Sequence, residues 1–150
     1  MKTERRDFVK TSLAAGFLSL FPPALLADWP KEAFDADTPE DVMKSLLGAT
    51  ETLTSEDIEF VGLPEIAENG AVVPVGVNTT LSNIESISII VEKNPAPLIA
   101  SFKLGASAVG AVSTRMKMGA TSNVIAIVKA DGKLYSASKE VKVTIGGCGG

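Results

Sequence analysis

The chain has 150 residues, about the size of one domain, and its formal charge is −4 from 14 basic and 18 acidic residues. It contains no histidine, which excludes a Ser-His-Asp triad, a Cys-His pair, a His-Glu-x-x-His zinc site and a His-ligated haem. Its single cysteine excludes an intramolecular disulfide, a Cys-x-x-Cys motif and a thiolate zinc cluster. An acidic chain is also a poor nucleic-acid binder. We therefore expect no metal site and no cofactor, and the remaining chemistry centres on one sulfur atom.

Residues 1–27 have the pattern of an export signal. Arg5 and Arg6 open a twin-arginine motif, and an apolar run from Leu13 to Leu26 ends at Ala27. A positive region, a short apolar run and a final small residue are typical of a signal peptide. The run is shorter than the roughly 20 residues of a transmembrane helix. The sequence thus predicts a signal for twin-arginine export to the periplasm, against the alternative of a retained amphipathic helix.

Removal of residues 1–27 makes the chain more acidic. Four of the 14 basic and two of the 18 acidic residues lie in this segment, so 10 and 16 remain and the charge becomes −6. The remaining aromatic residues are Trp29, Phe34, Phe60, Phe102 and Tyr135. We therefore expect a core of aliphatic side chains. Twin-arginine substrates commonly travel folded, with a cofactor or a partner, and this composition favours a partner.

The first element predicted after the signal is a helix from Pro39 to Leu47. Thr38 suits the N-cap, Pro39 suits the first helical position, and Asp41 completes a weak capping box. Gly48 is placed to end the helix. One face carries the apolar residues Val42, Met43, Leu46 and Leu47.

Short runs rich in β-branched residues follow, separated by turn residues. The predicted strands cover residues 58–61, 71–78, 84–92, 100–104, 112–118, 122–130, 133–137 and 141–145. Asn69-Gly70 favours a turn with positive φ, and Asp131-Gly132 is predicted as a hairpin turn.

The last run shows the clearest strand pattern. Val141, Val143 and Ile145 alternate with Lys142 and Thr144, as in a half-buried strand. Seven or eight short strands predict a mainly β fold, an immunoglobulin-like antiparallel β-sandwich with a short N-terminal helix. We assign this domain to residues 28–145, followed by a flexible glycine-rich arm at residues 146–150.

The arm contains the only cysteine of the chain. Cys148 lies between Gly146-Gly147 and Gly149-Gly150. Glycine has no Cβ and loses the most entropy on ordering, so we expect a mobile segment that reaches at most about 17 Å. Such an arm suits a thiol that enters the active site of another protein.

The surroundings of Cys148 predict a thiol that does not activate itself. The arm contains no lysine or arginine, and the C-terminal carboxylate is two residues away. Nothing in the arm therefore lowers the thiol pKa far below its usual value of about 8.5. We interpret Cys148 as a covalent attachment site on which other enzymes act. Its sulfur would carry a persulfide, a thiosulfonate or a mixed disulfide.

Simpler interpretations of Cys148 compete with this one. A glycine-flanked terminal cysteine is a poor core residue, and prenylation requires cysteine at the fourth position from the end. A ubiquitin-like Gly-Gly tail fits neither export nor the cysteine. A disulfide-linked homodimer is the strongest alternative, and it remains compatible with a carrier at rest.

The sequence resembles the SoxY family, the sulfur carriers of bacterial thiosulfate oxidation. The segments that carry the resemblance, besides the twin-arginine signal, are residues 64–75, 93–95, 114–118, 121–122, 132–133, 141–144 and 146–150. The terminal Gly-Gly-Cys-Gly-Gly motif is the most specific of them.

The resemblance implies a non-enzymatic carrier that pairs with SoxZ and holds intermediates covalently on Cys148. It implies that the haem protein SoxAX couples thiosulfate to the sulfur and that SoxB, a metal-dependent hydrolase, releases sulfate. SoxCD, where present, oxidises the remaining sulfane sulfur. The resemblance implies no metal, and we expect no cofactor, no nucleic-acid ligand and no membrane association of the mature chain.

Two further segments have weaker functional interpretations. Arg115 and Lys117 alternate with Met116 and Met118, which fits a docking face for SoxZ or an enzyme but is better explained as a half-buried strand with a solvated basic side. Residues 64–75 are a second candidate for the SoxZ contact.

Two other classes of protein remain as hypotheses. A structural β-sandwich module would use its cysteine only for an intermolecular disulfide. A thiol redox enzyme would need a resolving cysteine or an activating base, which a partner would have to supply.

Overall fold

Two short helices and nine strands form residues 30–144, the part of the chain that the computed structural model describes. The predicted signal, residues 1–27, and the arm, residues 146–150, lie outside it. The helices are α1 (Lys31–Phe34) and α2 (Pro39–Leu47). The strands are β1 (Leu53–Thr54), β2 (Ile58–Val61), β3 (Ile66–Ala67), β4 (Val73–Thr79), β5 (Ile84–Val91), β6 (Leu98–Lys103), β7 (Ala111–Met116), β8 (Ser122–Ala130) and β9 (Lys133–Val143).

The strands form two sheets, which confirms the predicted immunoglobulin-like β-sandwich. The larger sheet has the order β1-β9-β8-β5-β6, with β3 also paired to β9, and the smaller has the order β2-β4-β7. Two pairings depart from the prediction, because β1 and β3 run parallel to β9. Each of these strands has only two residues, too few for an alternating pattern to be recognised in the sequence.

Helix α2 has the predicted bounds and caps. The Thr38 hydroxyl accepts a hydrogen bond from the Asp41 amide at 3.1 Å. Gly48 ends the helix in the left-handed region, with φ +74°. The four-residue helix α1 was not predicted, since a single turn carries no helical period.

Aliphatic residues fill the space between the sheets, as expected. Every fully buried large side chain in residues 30–144 is isoleucine or valine, and Phe60, Phe102 and Tyr135 pack at the margin. A second cluster lies on the outer face of the larger sheet, where Ala33 and Val42 of the helices cover Ile90 and Ile127. The helices therefore pack outside the sandwich.

The tight turns agree only partly with the sequence analysis. Asp131 (φ +50°) and Gly132 (φ +70°) form the predicted hairpin, and β9 continues through the break predicted at residues 138–140. The positive φ predicted at Asn69-Gly70 is wrong, because neither residue adopts it. Instead, the Asn69 Oδ1 atom accepts a hydrogen bond from the Ala71 amide at 2.9 Å, which shapes the turn through the side chain.

Candidate functional site

The end of β9 is the point from which the cysteine-bearing arm continues. Val141 is fully buried and Val143 is half-buried, while Lys142 and Thr144 are exposed, which confirms the predicted alternation. Ile145 lies outside the described residues, as do Cys148 and the flanking glycines Gly146, Gly147, Gly149 and Gly150. The described part of the site is therefore the anchor of the arm.

Hydrogen bonds hold the end of β9 on both edges. On one edge the Lys142 amide donates to the Glu65 carbonyl at 2.9 Å, and the Thr144 amide donates to the Ala67 carbonyl at 3.1 Å. On the other edge the Val143 amide donates to the Thr121 hydroxyl at 3.0 Å. The backbone is therefore fixed as far as Thr144.

A close approach between two loops supports this strand end. The Met118 amide donates to the Gly70 carbonyl at 2.7 Å. A Cβ atom on Gly70 would lie 2.3 Å from the Met118 carbonyl oxygen and 3.0 Å from Cγ1 of Val143. Only a residue without a side chain fits between these atoms, so Gly70 has a steric role and not the conformational one predicted for it.

The Asn94 side chain connects a third loop to the loop that contains Met118. Its Nδ2 atom donates to the Lys117 carbonyl at 2.7 Å, and its Oδ1 atom accepts from the Gly119 amide at 3.2 Å. Nearby, the Lys93 amide donates to the Ser122 hydroxyl at 3.0 Å. We call the cluster of Gly70, Asn94, Met118, Thr121 and Val143 the arm base.

Most of the segments that carry the family resemblance meet at the arm base. Residues 64–75, 93–95, 114–118, 121–122 and 141–144 all contribute contacts or neighbouring residues to it. Among the resemblance segments within residues 30–144, only Gly132-Lys133 lies elsewhere, at the opposite end of β9. The sequence alone gave no sign that Asn94 and Thr121 hold the loops around β9, because their partners are distant along the chain.

Exposed basic and apolar side chains lie beside the arm base. Arg115 and Lys117 are exposed while Met116 and Met118 are buried, which confirms the half-buried pattern predicted for this segment. Within residues 30–144 neither basic side chain has an ion-pair partner. Ile66 and Val72 are more than half exposed.

The described residues near the arm base offer exposed basic and apolar side chains for binding contacts. Residues 30–144 hold no cluster of histidine, cysteine, aspartate or glutamate suited to a metal ion. None of their helices has the length and apolar character to cross a membrane. The two groups with shifted pKa values are not part of the arm base. The Asp35 carboxylate raises the pKa of Lys31, and the Lys129 ammonium group lowers the pKa of Glu85.

Comparison with known proteins identifies sequences and structures similar to this chain. The family profile described as "Sulfur oxidation protein SoxY" matches residues 43–148. The structure of the sulfur carrier protein SoxY from Chlorobium limicola f thiosulfatophilum is 40% identical, with a TM-score of 0.66. The match covers 77% of this chain and all of that one. No curated protein matches the sequence.

A more distant likeness concerns the fold alone. The superoxide reductase (neelaredoxin) from Ignicoccus hospitalis has a TM-score of 0.52 at 19% identity. The match covers 71% of this chain and 94% of that one. The sandwich is therefore a scaffold shared with proteins of different activity.

Proposed function

Because the chain belongs to the SoxY family of sulfur oxidation proteins, we propose that it carries thiosulfate-derived sulfur covalently on Cys148 in the periplasm. The observation that carries the proposal is the extent of the family match. It runs from residue 43 to residue 148 and so reaches the only cysteine of the chain. The 40% identical relative is itself a sulfur carrier protein.

The anchored end of β9 supports a carrier role for the arm. Hydrogen bonds fix the backbone up to Thr144, and Cys148 follows four residues later. A glycine-rich segment beyond a rigid anchor moves about a defined point, and it is thin enough to enter a narrow cleft. The carrier thereby presents its sulfur at a limited distance from a fixed docking surface.

The proposed loading step joins thiosulfate to the cysteine. The Cys148 thiol and thiosulfate lose one proton and two electrons, and a bond forms between Sγ and the outer sulfur to give an S-thiosulfonate. The electrons pass to the haem protein SoxAX as oxidant. Since the arm has no group that activates the thiol, the partner enzyme supplies the activation.

The proposed unloading step is hydrolysis by SoxB. Water attacks the terminal sulfonate sulfur, the S–S bond to the sulfane sulfur breaks, and sulfate leaves with a proton. A persulfide remains on Cys148, and SoxCD oxidises it where that enzyme is present. This chain supplies the attachment atom and catalyses neither step.

We assign SoxZ as the stable partner of the carrier, and SoxAX, SoxB and SoxCD as transient ones. The exposed Ile66, Val72, Arg115 and Lys117 beside the arm base are available for contacts with such proteins. The test is affinity purification of the tagged chain from cells that express the Sox proteins. We expect SoxZ to co-purify with both the normal chain and Cys148→Ser, because the thiol is not part of the stable contact.

Intact mass spectrometry tests the carrier role directly. The mature protein is purified from cells grown with and without thiosulfate and is measured before and after treatment with a thiol reductant. We expect a thiosulfate-dependent, reductant-labile adduct that contains extra sulfur atoms and is absent from Cys148→Ser.

The same spectra distinguish the alternatives. A bare thiol under all conditions would contradict the proposal. A reducible mass of two chains, with no adduct after thiosulfate, would favour a structural module that uses its cysteine for a homodimer.

Export through the twin-arginine pathway is tested separately. In Arg5→Lys/Arg6→Lys we expect the chain to stay in the cytoplasm at its full length, because the paired arginines are the recognised feature of the signal. Cell fractionation followed by mass determination measures both location and cleavage. Periplasmic processing of this variant would contradict the proposed route.

A further inference from the structure

A cavity of about 670 Å³ opens at the end of the sandwich opposite the arm base. Its walls come from the end of α2, the start of β5 and the loop between β6 and β7. The volume lies in the range of about 300–1,000 Å³ that is typical of small-molecule sites.

The polar floor of the cavity is a row of three side chains on neighbouring strands. Ser86 of β5 is the register partner of Lys103 on β6 and of Lys129 on β8. Directly opposed residues project from the same face of a sheet, with Cβ atoms about 4.5–5.5 Å apart. All three line the cavity, and Ser86 lies between the two lysine residues in the strand register.

The Ser86 side chain contributes a hydroxyl to the wall of the cavity. Ser86 is only 9% exposed, and its hydroxyl makes no hydrogen bond to any residue in 30–144. The other buried serines differ, since Ser88 donates to Ser101 and Ser122 donates to the Asn123 carbonyl. No fully enclosed side-chain oxygen in the described residues lacks a partner, so the Ser86 oxygen keeps some solvent exposure, and Ser86 lines the cavity. A polar group held in this way is a ready hydrogen-bond donor for a ligand.

The charges around the hydroxyl favour an anion. Lys129 forms an ion pair with Glu85 at 2.9 Å. Lys103 has no such partner within residues 30–144. These three charged side chains give the cavity lining a net charge of +1.

The rest of the lining is largely apolar. The lining also contains Leu46 and Leu47 of α2, together with Leu81 and Leu104. These four leucines are half-buried, which leaves apolar surface for contact with a hydrocarbon chain.

The cavity lies far from the point where the arm continues. Lys129 is the register partner of Leu134, near the start of β9, whereas the arm begins beyond its other end. The 11 residues of β9 span about 33 Å at about 3.3 Å per residue.

We propose that this cavity binds a small amphiphile with an oxyanion head, a carboxylate or a sulfonate, and a short aliphatic chain. The head accepts hydrogen bonds from the Ser86 hydroxyl and the Lys103 ammonium group. The chain lies against Leu46, Leu47 and Leu104. The site is independent of the thiol of Cys148 and of anything bound there.

Titration of the isotopically labelled protein, followed by two-dimensional NMR, tests the proposal. The probes are hexanoate and hexanesulfonate, with sulfate and hexylammonium as matched controls that lack the chain or invert the charge. We expect saturable shifts at the amides of Leu47, Ser86 and Lys103 with the first two probes. Sulfate should bind at least tenfold more weakly, and hexylammonium should not bind.

Variants then separate recognition from nonspecific adsorption. Ser86→Ala and Lys103→Met should each weaken hexanoate binding about tenfold, because each removes a hydrogen bond to a charged group. Lys133→Met removes an exposed lysine that does not line the cavity, and it should bind as the unchanged protein does. Circular dichroism confirms that the variants are folded.

Three results would overturn the proposal. They are the absence of saturable shifts at about 10 mM probe, equal binding of hexylammonium, and undiminished binding in both Ser86→Ala and Lys103→Met.

Discussion

Gly70 and Met118 are joined at the arm base by a backbone hydrogen bond of 2.7 Å, and no side chain fits between them. The two residues belong to different loops, each of which is also connected to β9. Gly70 faces Val143 directly, and the loop that contains Met118 also contains Thr121, whose hydroxyl binds the Val143 amide. The position of the strand that leads to the arm therefore depends on this contact.

The first prediction concerns the space at Gly70. Gly70→Ala should lower the free energy of unfolding by about 1–3 kcal/mol, because its Cβ would overlap the Met118 carbonyl group and the backbone must move. Gly119→Ala is the matched control in the neighbouring loop, since a Cβ there meets nothing within 4 Å. Urea denaturation of both variants measures the difference. Equal stability of the two would show that the loops adjust without cost.

The second prediction concerns the Thr121 hydroxyl. Thr121→Val keeps the shape of the side chain and removes the acceptor of the Val143 amide, so we expect a loss of about 1 kcal/mol. Hydrogen exchange at the Val143 amide should become faster, because its bond partner is gone. Thr144→Val is the control at an exposed position nearby. Unchanged protection of Val143 in Thr121→Val would contradict the role assigned to this contact.

The third prediction concerns the helical layer. Val42 is fully buried between α2 and the larger sheet, so Val42→Ala should cost about 2 kcal/mol through lost burial and the cavity left behind. Val109 is 80% exposed, and Val109→Ala should change stability by less than about 0.5 kcal/mol. Thermal unfolding compares the two. A small effect of Val42→Ala would indicate that the helix contributes little to the folded state.

The fourth prediction concerns pH. The Lys129 ammonium group and the Gly132 amide lower the pKa of Glu85 below its ordinary value of 4.5. The folded-state pKa thus lies below the unfolded-state value. The interaction therefore stabilises the fold above about pH 4.5, and the stabilisation is lost as the pH falls through the folded-state pKa.

The free energy of unfolding of Glu85→Gln should accordingly decrease less in acid than that of the unchanged protein. The measurement is the unfolding free energy between about pH 3 and 7, where the curve of the variant should be flatter below the ordinary pKa of 4.5. Glu68→Gln, an exposed acid in another loop, provides the control. An acid dependence identical in Glu85→Gln and the unchanged protein would refute the assignment.

The elements with strong local signals were predictable from the sequence. Helix α2 has a capping residue, a proline at the first position and a terminal glycine, and each is used as expected. The strands at 58–61 and 122–130 also have the predicted bounds. Their patterns of buried and exposed residues determine them locally, so no knowledge of tertiary contacts is needed.

The contacts that shape the candidate site were not predictable in the same way. Asn69-Gly70 has the pattern of a turn that requires positive φ, but neither residue adopts it. The glycine is needed because Met118 and Val143, which are distant in the sequence, leave no space for a side chain. The pairing of Ile66 with Lys142 likewise depends on β9 presenting a free edge. Local propensity describes neither relationship, because both arise when distant segments pack together.

The parallel pairing of β1 and β3 with β9 has a consequence for the order of folding. Leu53 pairs with Tyr135, which lies 82 residues later in the chain. Ile66 pairs with Lys142, which lies 76 residues later. Contacts of such sequence separation form late and slowly. During synthesis the larger sheet therefore stays incomplete on this edge until the last strand has emerged. The larger sheet is therefore complete only when synthesis has reached the end of β9, just before the segment that bears the thiol.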